Sequence, residues 1–411
     1  MREAFASKAP TVVSICASAI LTPRAVTLPS AGVNRRALPA SARKAMRAPC
    51  GPIWYIPRMH DDLEQRKSQH LDLVQRPEVE PEESDPLLSC VRFVHRAAPE
   101  LSLDQIELSA ELCGKRLRAP LMIVGMTGGT ERAGRINRDL ATLAEEAGVA
   151  FGVGSMRILL EQPDLLATFA VKPARPPLLA ANLGAQQLVQ RGSGAALRVM
   201  EMLEADAIAI HLNAAQELVQ AGGDRDFRGC LDAIGELVAK VGAERVIVKE
   251  TGCGIGPAVL RELAARGVRT TDVSGAGGTS WPRVEQLRAR DPQARGLGEL
   301  LSDWGIPTAA CITAARAASS GMQIIGSGGL RSGLDAAKAL ALGADVAGFA
   351  LPLVRAHQRS GIEGARAELV GILGALRAAF LLCGARDAKA LRASRRVILD
   401  PLRTWIEGLA G

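Results

Sequence analysis

From residue 120 onward the chain repeats one pattern: a short apolar run, a cluster of small or polar residues, then a helical stretch. The runs begin near Pro120 (PLMIVGMTGG), Val149 (VAFGVGSMR), Pro177 (PLLAANLG) and Asp206 (DAIAIHLN). Four more begin near Arg245 (RVIVKETG), Thr270 (TTDVSGAGG), Met322 (MQIIGSGG) and Asp345 (DVAGFALP). Unbroken apolar runs of this length read as strands buried on both faces, and so as parallel strands. Helical patterns lie between them at 136–147, 197–204, 227–241, 258–266 and 334–342, and capping glycines are expected at Gly148, Gly192, Gly242, Gly267 and Gly343. Eight such units in about 235 residues fit an α/β fold of the (β/α)8 TIM-barrel type better than an open doubly wound sheet.

A barrel of this kind gathers its chemistry at the C-terminal ends of its strands. Those ends read Thr127-Gly128-Gly129, Gly154-Ser155-Met156-Arg157, Asn182, His211-Leu212-Asn213, Lys249-Glu250, Ser274-Gly275, Ser327-Gly328-Gly329 and Ala350. Residues that merely solvated strand ends would be Lys, Glu and Asp. Ser, Thr, Asn, His and Gly dominate instead, which points to one mouth built to hold a ligand.

The net charge of +7 does not belong to this body. Residues 1–58 hold nine basic side chains against Glu3 alone, which leaves residues 59–411 at −1. A nucleic-acid binder would spread basic charge over its folded surface, so that class is disfavoured. Three readings stay open for residues 1–58: an organellar targeting peptide, a secretory signal with Thr11–Thr22 as its apolar core, or a disordered leader with Met59 as the real start. No apolar run approaches the roughly 18–20 residues that a membrane span needs. The eight cysteines form no C-x-x-C pair and no metal-ligand spacing, which suits a reducing cytoplasm. The chain divides on this reading into the leader 1–58, a segment 59–119, and a barrel with C-terminal helices over 120–411.

Several residues at the mouth carry specific expectations. Gly328-Gly329-Leu330 and the stretch from Ala350 follow strands seven and eight, where backbone N–H groups commonly hold phosphate. Gly275-Ala276-Gly277-Gly278-Thr279 offers a second anion loop. Lys249 ends strand five inside the mouth; it either faces an electron-rich ring or anion, or is a structural lysine paired with Glu250. Gln216 and Glu217 either orient a substrate and hold Mg2+, or form an ordinary acidic helix start. Arg66, Lys67 and His70 read alone as a solvated basic turn, whereas Arg157 beside Ser155 is a natural fork for phosphate.

Together these stretches resemble the type 2 isopentenyl-diphosphate isomerases, a family of flavin-dependent barrel enzymes. The resemblance is carried by Arg66-Lys67-x-x-His70, Met126-Thr127-Gly128-Gly129, Gly154-Ser155-x-Arg157, Ala181-Asn182-Leu183-Gly184 and His211-Leu212-Asn213-x-x-Gln216-Glu217. It continues through Val248-Lys249-Glu250, Ser274-Gly275-Ala276-Gly277-Gly278-Thr279-Ser280-Trp281, Trp304-Gly305-Ile306-Pro307-Thr308 and Ser327-Gly328-Gly329. It implies FMN reduced by NADPH, Mg2+, a small diphosphate substrate and a homotetramer or larger assembly in the cytoplasm. It also implies that Met126, Thr127, Gly128, Ser155, Asn182, Lys249, Ser274 and Thr279 hold the flavin, with Gly328, Gly329, Leu330, Ala350 and Leu351 near its phosphate. Arg66, Lys67, His70, Ser155, Arg157 and Asn213 would grip the substrate, Gln216 would face its reacting carbons, and Glu217 would bind Mg2+. Where many relatives carry an acid inside the Arg-Lys-x-x-His motif, this chain has Ser68-Gln69. The contrasting enzyme class is a flavin barrel oxidase or dehydrogenase, which usually needs a late His–Arg pair; after strand six this chain offers Ser274 and glycines. A third class, a non-catalytic protein binding nucleic acid or an anionic membrane through its leader, would lose function on deletion of residues 1–58.

Overall fold

A computed structural model describes residues 63–80 and 83–410; the stretch 1–58 lies outside the described residues. Eight parallel strands close into a barrel: β1 (Leu121–Ile123), β2 (Ala150–Gly152), β3 (Leu179–Gly184), β4 (Ala207–Leu212), β5 (Val246–Glu250), β6 (Thr270–Asp272), β7 (Gln323–Gly326) and β8 (Val346–Phe349). Each falls inside one of the eight apolar runs. Most are only three to six residues long because each run also supplies the loop beyond its strand. β8 pairs with β1 through Ala347↔Leu121, which closes the ring.

The helices outside the ring include Glu131–Ala147, Ser193–Leu203, Cys230–Val241, Pro257–Ala265 and Gly333–Leu342. Their apolar stripes and the outward faces of the strands form one continuous core of aliphatic side chains. Gly148, Gly192, Gly242 and Gly343 sit at helix C-caps with positive φ, and Gly267 lies one residue beyond the cap Arg266. The helix at Leu351–Leu382 is kinked where Ser360 and Gly361 leave helical geometry; Gly361 has φ 62°, which a residue without Cβ adopts at little cost.

The N-terminal end of the barrel is plugged. A hairpin of strands Ala110–Leu112 and Lys115–Leu117 sends Leu112, Cys113 and Leu117 against the barrel interior at Met122, Ala207 and Ile247. The opposite end stays open. There the helix Leu63–Leu73 and the turn Pro77–Val79 supply the residues ahead of the barrel; elsewhere a short strand, Val91–Phe93, pairs with Arg396–Ile398 from the far end of the chain. Leu402 of the last helix, Leu402–Leu409, is fully buried, so that helix packs on the body. Among the described residues no helix is long and apolar enough to cross a membrane.

Candidate active site

Strand register sets the floor of the mouth. His211, Lys249 and Asp272 are in-register partners on β4, β5 and β6, so their side chains point the same way at one level of the barrel. Lys249 Nζ lies 3.9 Å from Asp272 Oδ2 and donates to the Glu250 carbonyl. The pairing of Lys249 with the Glu250 side chain that the sequence allowed is therefore corrected. The Glu250 carboxylate turns into the following loop and accepts the N–H groups of Thr251 and Gly252 at 2.6 Å each. The buried counter-ion of Lys249 is Asp272, whose Oδ1 also accepts Ser327 Oγ at 2.5 Å. Burial pushes the Asp272 carboxyl above its ordinary range, against the pull of Lys249 and Ser327.

His211 is locked by a neighbour. Asn182 donates its amide N–H to the Val153 carbonyl at 3.1 Å, so its Oδ1 is the atom left to face His211 Nδ1 at 2.8 Å. Nδ1 therefore carries the proton, and Nε2 is left with a lone pair. Burial, then the charges of Lys249, Arg157 and Lys67, push the imidazole down to about 3. It is neutral at pH 7.

The helix Leu63–Leu73 brings Arg66, Lys67 and His70 over this floor, with Arg66 and His70 one turn apart on a shared face. Lys67 Nζ donates to the Ser155 carbonyl at 2.9 Å and stands 4.7 Å from the centre of the Phe169 ring. Burial, then Arg66 and Arg157, lower the Lys67 ammonium to about 7. Burial and Arg157 lower Arg66 to about 10, although Glu285 and Glu217 pull the other way. Arg66 is only 9% exposed and its Nε has no hydrogen-bond partner. Among the described residues no carboxylate forms an ion pair with Arg66, Lys67 or Arg157. Three cations crowded together without neutralising partners make a receptor for a polyanion.

Beyond the cations lies a network of amides and carboxylates. Asn213 donates to Gln216 Oε1 at 3.2 Å and to Glu217 Oε1 at 3.0 Å. Gln216 Nε2 donates to Glu285 Oε1 at 3.2 Å, and that oxygen also takes His70 Nε2 at 2.9 Å. Glu217 Oε2 accepts the N–H of Asp224 at 2.8 Å. The Asn213 Oδ1 is buried without a partner. It and the Glu217 carboxylate form an all-oxygen donor set of the kind that suits Mg2+, which keeps most of its ligands as water and phosphate. Among the described residues no group of three or more His, Cys, Asp or Glu could hold a metal ion.

All twenty residues singled out from the sequence line this one cleft, which encloses about 1590 Å³ out to its open mouth. Gly328 and Gly329 have φ of 100° and 76°, and the N–H groups of Gly329 and Leu330 take no acceptor among the described residues. They leave a backbone cradle for phosphate. The sequence reading assigned no role to Glu285, Arg288 or Asp272. His211 was quoted within a motif without a role of its own. Only Asp272, an acid inside one of the eight strand runs, could have been flagged from the sequence.

The chain is similar to proteins of known activity. The isopentenyl-diphosphate delta-isomerase of Nostoc sp. is 46% identical over 320 residues, covering 77% of this chain and 91% of its own. That of Ignicoccus hospitalis is 43% identical over 346 residues, covering 83% and 95%. The chain belongs to the type 2 isopentenyl-diphosphate delta-isomerase family. A family model described as FMN-dependent dehydrogenase also matches residues 236–398, from the helix before β5 to the last short strand. In fold, the chain is similar to mandelate oxidase bound to (S)-2-phenylpropionate: TM-score 0.56, 18% identity, 83% of this chain and 99% of that one. A mandelate oxidase variant with an FMN adduct gives TM-score 0.54 at 18% identity, covering 88% and 100%. For a member of the isomerase family, the mouth fits FMN: a glycine cradle for the phosphate, and a buried lysine 3.9 Å from the Asp272 carboxylate.

Proposed function

We propose that this mouth interconverts isopentenyl diphosphate and dimethylallyl diphosphate, with FMN reduced by NADPH and one Mg2+ ion. The observation that carries this reading is the cluster of Arg66, Lys67 and Arg157, un-neutralised and half to fully buried, beside an amide held in one orientation. The substrate gains a proton at one end of its double bond and loses one from the methylene beside it. Its diphosphate lies away from those carbons and can be gripped without disturbing them. Arg66, Lys67 and Arg157 would take the charge. Asn213 and Glu285 hold Gln216 from both ends, so its amide cannot flip as it faces the allylic carbons. Glu217 would take Mg2+ on the diphosphate side. Thr127, Ser155, Asn182, Lys249, Ser274 and Thr279 would hold the ring of FMN, and Gly328, Gly329, Leu330, Ala350 and Leu351 its phosphate. Reduced FMN, when bound, supplies the proton-transferring group for which this mouth has no matched pair of side chains.

Six free cysteines among the described residues, four of them buried, support a reducing compartment such as the cytoplasm. Family likeness supports a homotetramer or larger assembly. The deciding experiment is anaerobic turnover of isopentenyl diphosphate by the full chain, omitting FMN, Mg2+ or NADPH in turn. Dimethylallyl diphosphate formed only with reduced flavin and Mg2+ is expected. A protein that binds FMN, forms no product and oxidises 2-hydroxy acids would sink this reading.

A further inference from the structure

The substrate grip and the flavin-phosphate loop meet at one carboxylate. Glu80 follows the turn Pro77–Val79, seven residues beyond the helix that carries Arg66, Lys67 and His70. Its Oε2 takes Arg331 Nη2 at 2.5 Å and Nε at 3.2 Å, and its Oε1 takes Arg355 Nη1. Arg331 follows Gly329-Leu330 directly and lines the mouth. Arg355, on the helix after β8, also donates to the carbonyls of Val74 at 3.1 Å and Arg76 at 3.0 Å, the backbone leaving the grip helix. A continuous path therefore runs from the phosphate cradle through Arg331, Glu80 and Arg355 to the helix over the mouth. The following stretch packs on the same loops: a Cβ on Gly329 would meet Gly277 O at 2.3 Å and Pro86 at 3.0 Å, and Ala309 N–H donates to the Pro86 carbonyl.

An isolated surface ion pair contributes little. Here one half-buried carboxylate holds two guanidiniums from different elements, each 22–34% exposed at the side chain. Burial alone would raise the Glu80 carboxyl, but Arg331 and Arg355 outweigh it and hold it below its ordinary range.

We propose that Glu80 is a positioning residue that couples the two halves of the site, so that a phosphate held at Gly329-Leu330 steadies the helix bearing Arg66, Lys67 and His70. This inference rests on the reading that FMN occupies the mouth with its phosphate at that loop. Ordering of one segment then lowers the cost of ordering the other, and substrate affinity rises when the cofactor is bound.

The test is amide hydrogen exchange of residues 63–80 in the full chain, with and without FMN, for wild type, Glu80→Gln and Arg355→Met. Flavin fluorescence would report occupancy, and exchange of β3 and β5 would report that the barrel is folded. FMN is expected to slow exchange across 63–80 in wild type by about tenfold and in neither variant, while the KM for isopentenyl diphosphate rises about five- to tenfold with kcat much less changed. Equal slowing of 63–80 in wild type and in both variants would overturn the coupling, as would FMN binding to wild type with no effect on that segment. If wild type binds no FMN, the functional reading itself falls and takes the coupling with it.

Discussion

Gln216 and His70 are referenced to the same atom, Glu285 Oε1, at 3.2 and 2.9 Å. In the proposed function the first would face the reacting carbons, and the second, 146 positions earlier in the chain, would belong to the substrate grip. Glu285 is 2% exposed, and its second oxygen accepts Arg288 Nη1 at 2.5 Å. Burial opposes its charge, yet His70, Arg288 and Arg66 hold the carboxyl down to about 2, so it stays ionised and acceptor-only.

Glu285→Gln keeps the shape and removes the charge. The new amide can present N–H to Gln216 and leaves Arg288 short of a buried partner. We expect kcat to fall by about 10- to 100-fold, as when a supporting group behind a reacting residue is lost, with a smaller change in KM. Stability should fall by about 3 kcal/mol, read from the urea midpoint. The carboxyl is lowered from 4.5 to about 2 on folding, so its contribution is present above pH 4.5 and lost as pH falls towards 2. Wild type should lose that increment of stability across this window and the variant should not. Unchanged kcat in the variant would remove Glu285 from the account.

The barrel was legible because all eight apolar runs obey a local rule, and the rule needs no knowledge of the partner strand. That the strand-end residues line one cleft was legible for a related reason: fold topology alone sends every strand end to one mouth. Glu285 and Arg288 were not. They sit in the helix Trp281–Arg288 within Val284-Glu285-Gln286-Leu287-Arg288, which reads as a solvated charged face. Packing against Pro292–Leu300 and, from far along the chain, Ala214–Val219 and the helix Leu63–Leu73 buries this helix. The true counter-ion of Lys249 was missed because Glu250 is its neighbour in sequence while Asp272 is its neighbour across the sheet. Ser68-Gln69 stood out as a departure, and Gln69 makes a neutral tie: its Oε1 accepts Arg288 Nε at 2.9 Å.

Lys67 makes substrate binding depend on pH. Burial lowers its ammonium to about 7, and a bound diphosphate would favour the charged form. Binding should therefore take up a proton above pH 7 and weaken as pH rises from about 7 to 9, where the lysine is neutral before binding. Calorimetry of diphosphate binding in two buffers of different ionisation enthalpy would measure the uptake. Lys67→Arg should flatten the dependence, since a guanidinium stays charged throughout that range. Equal affinity at both ends of the range in wild type would show that Lys67 is charged before binding.

Gly329 tests the phosphate cradle. Its φ of 76° and the 2.3 Å approach of Gly277 O to any added Cβ leave no room for a side chain. Gly329→Ala should strain the loop by about 1–2 kcal/mol and turn its N–H away from a phosphate. FMN affinity should fall at least tenfold in a fluorescence titration, while the thermal midpoint of the cofactor-free protein drops by only a few degrees. FMN binding as tight as wild type would move the phosphate to another loop.

Glu217 tests the metal. Its Oε1 accepts Asn213 Nδ2 and its Oε2 accepts the Asp224 N–H, so both oxygens are already aimed, and Asn213 Oδ1 stands buried beside them without a partner. A divalent cation would satisfy that oxygen and draw the diphosphate to the same point. Removing Mg2+ with a chelator should abolish turnover without displacing FMN, because the carboxylate and the phosphate cradle belong to different loops. Glu217→Gln keeps only one acceptor oxygen for these donors and removes the ligand charge. The Mg2+ concentration needed for half-maximal rate should rise by about 10- to 100-fold. Asn213→Ala should raise it less, since the oxygen it removes is neutral. If Glu217→Gln lowers the rate but leaves the Mg2+ requirement where it was, the carboxylate acts on the Gln216 amide through Asn213, and the ion is held by the substrate diphosphate alone.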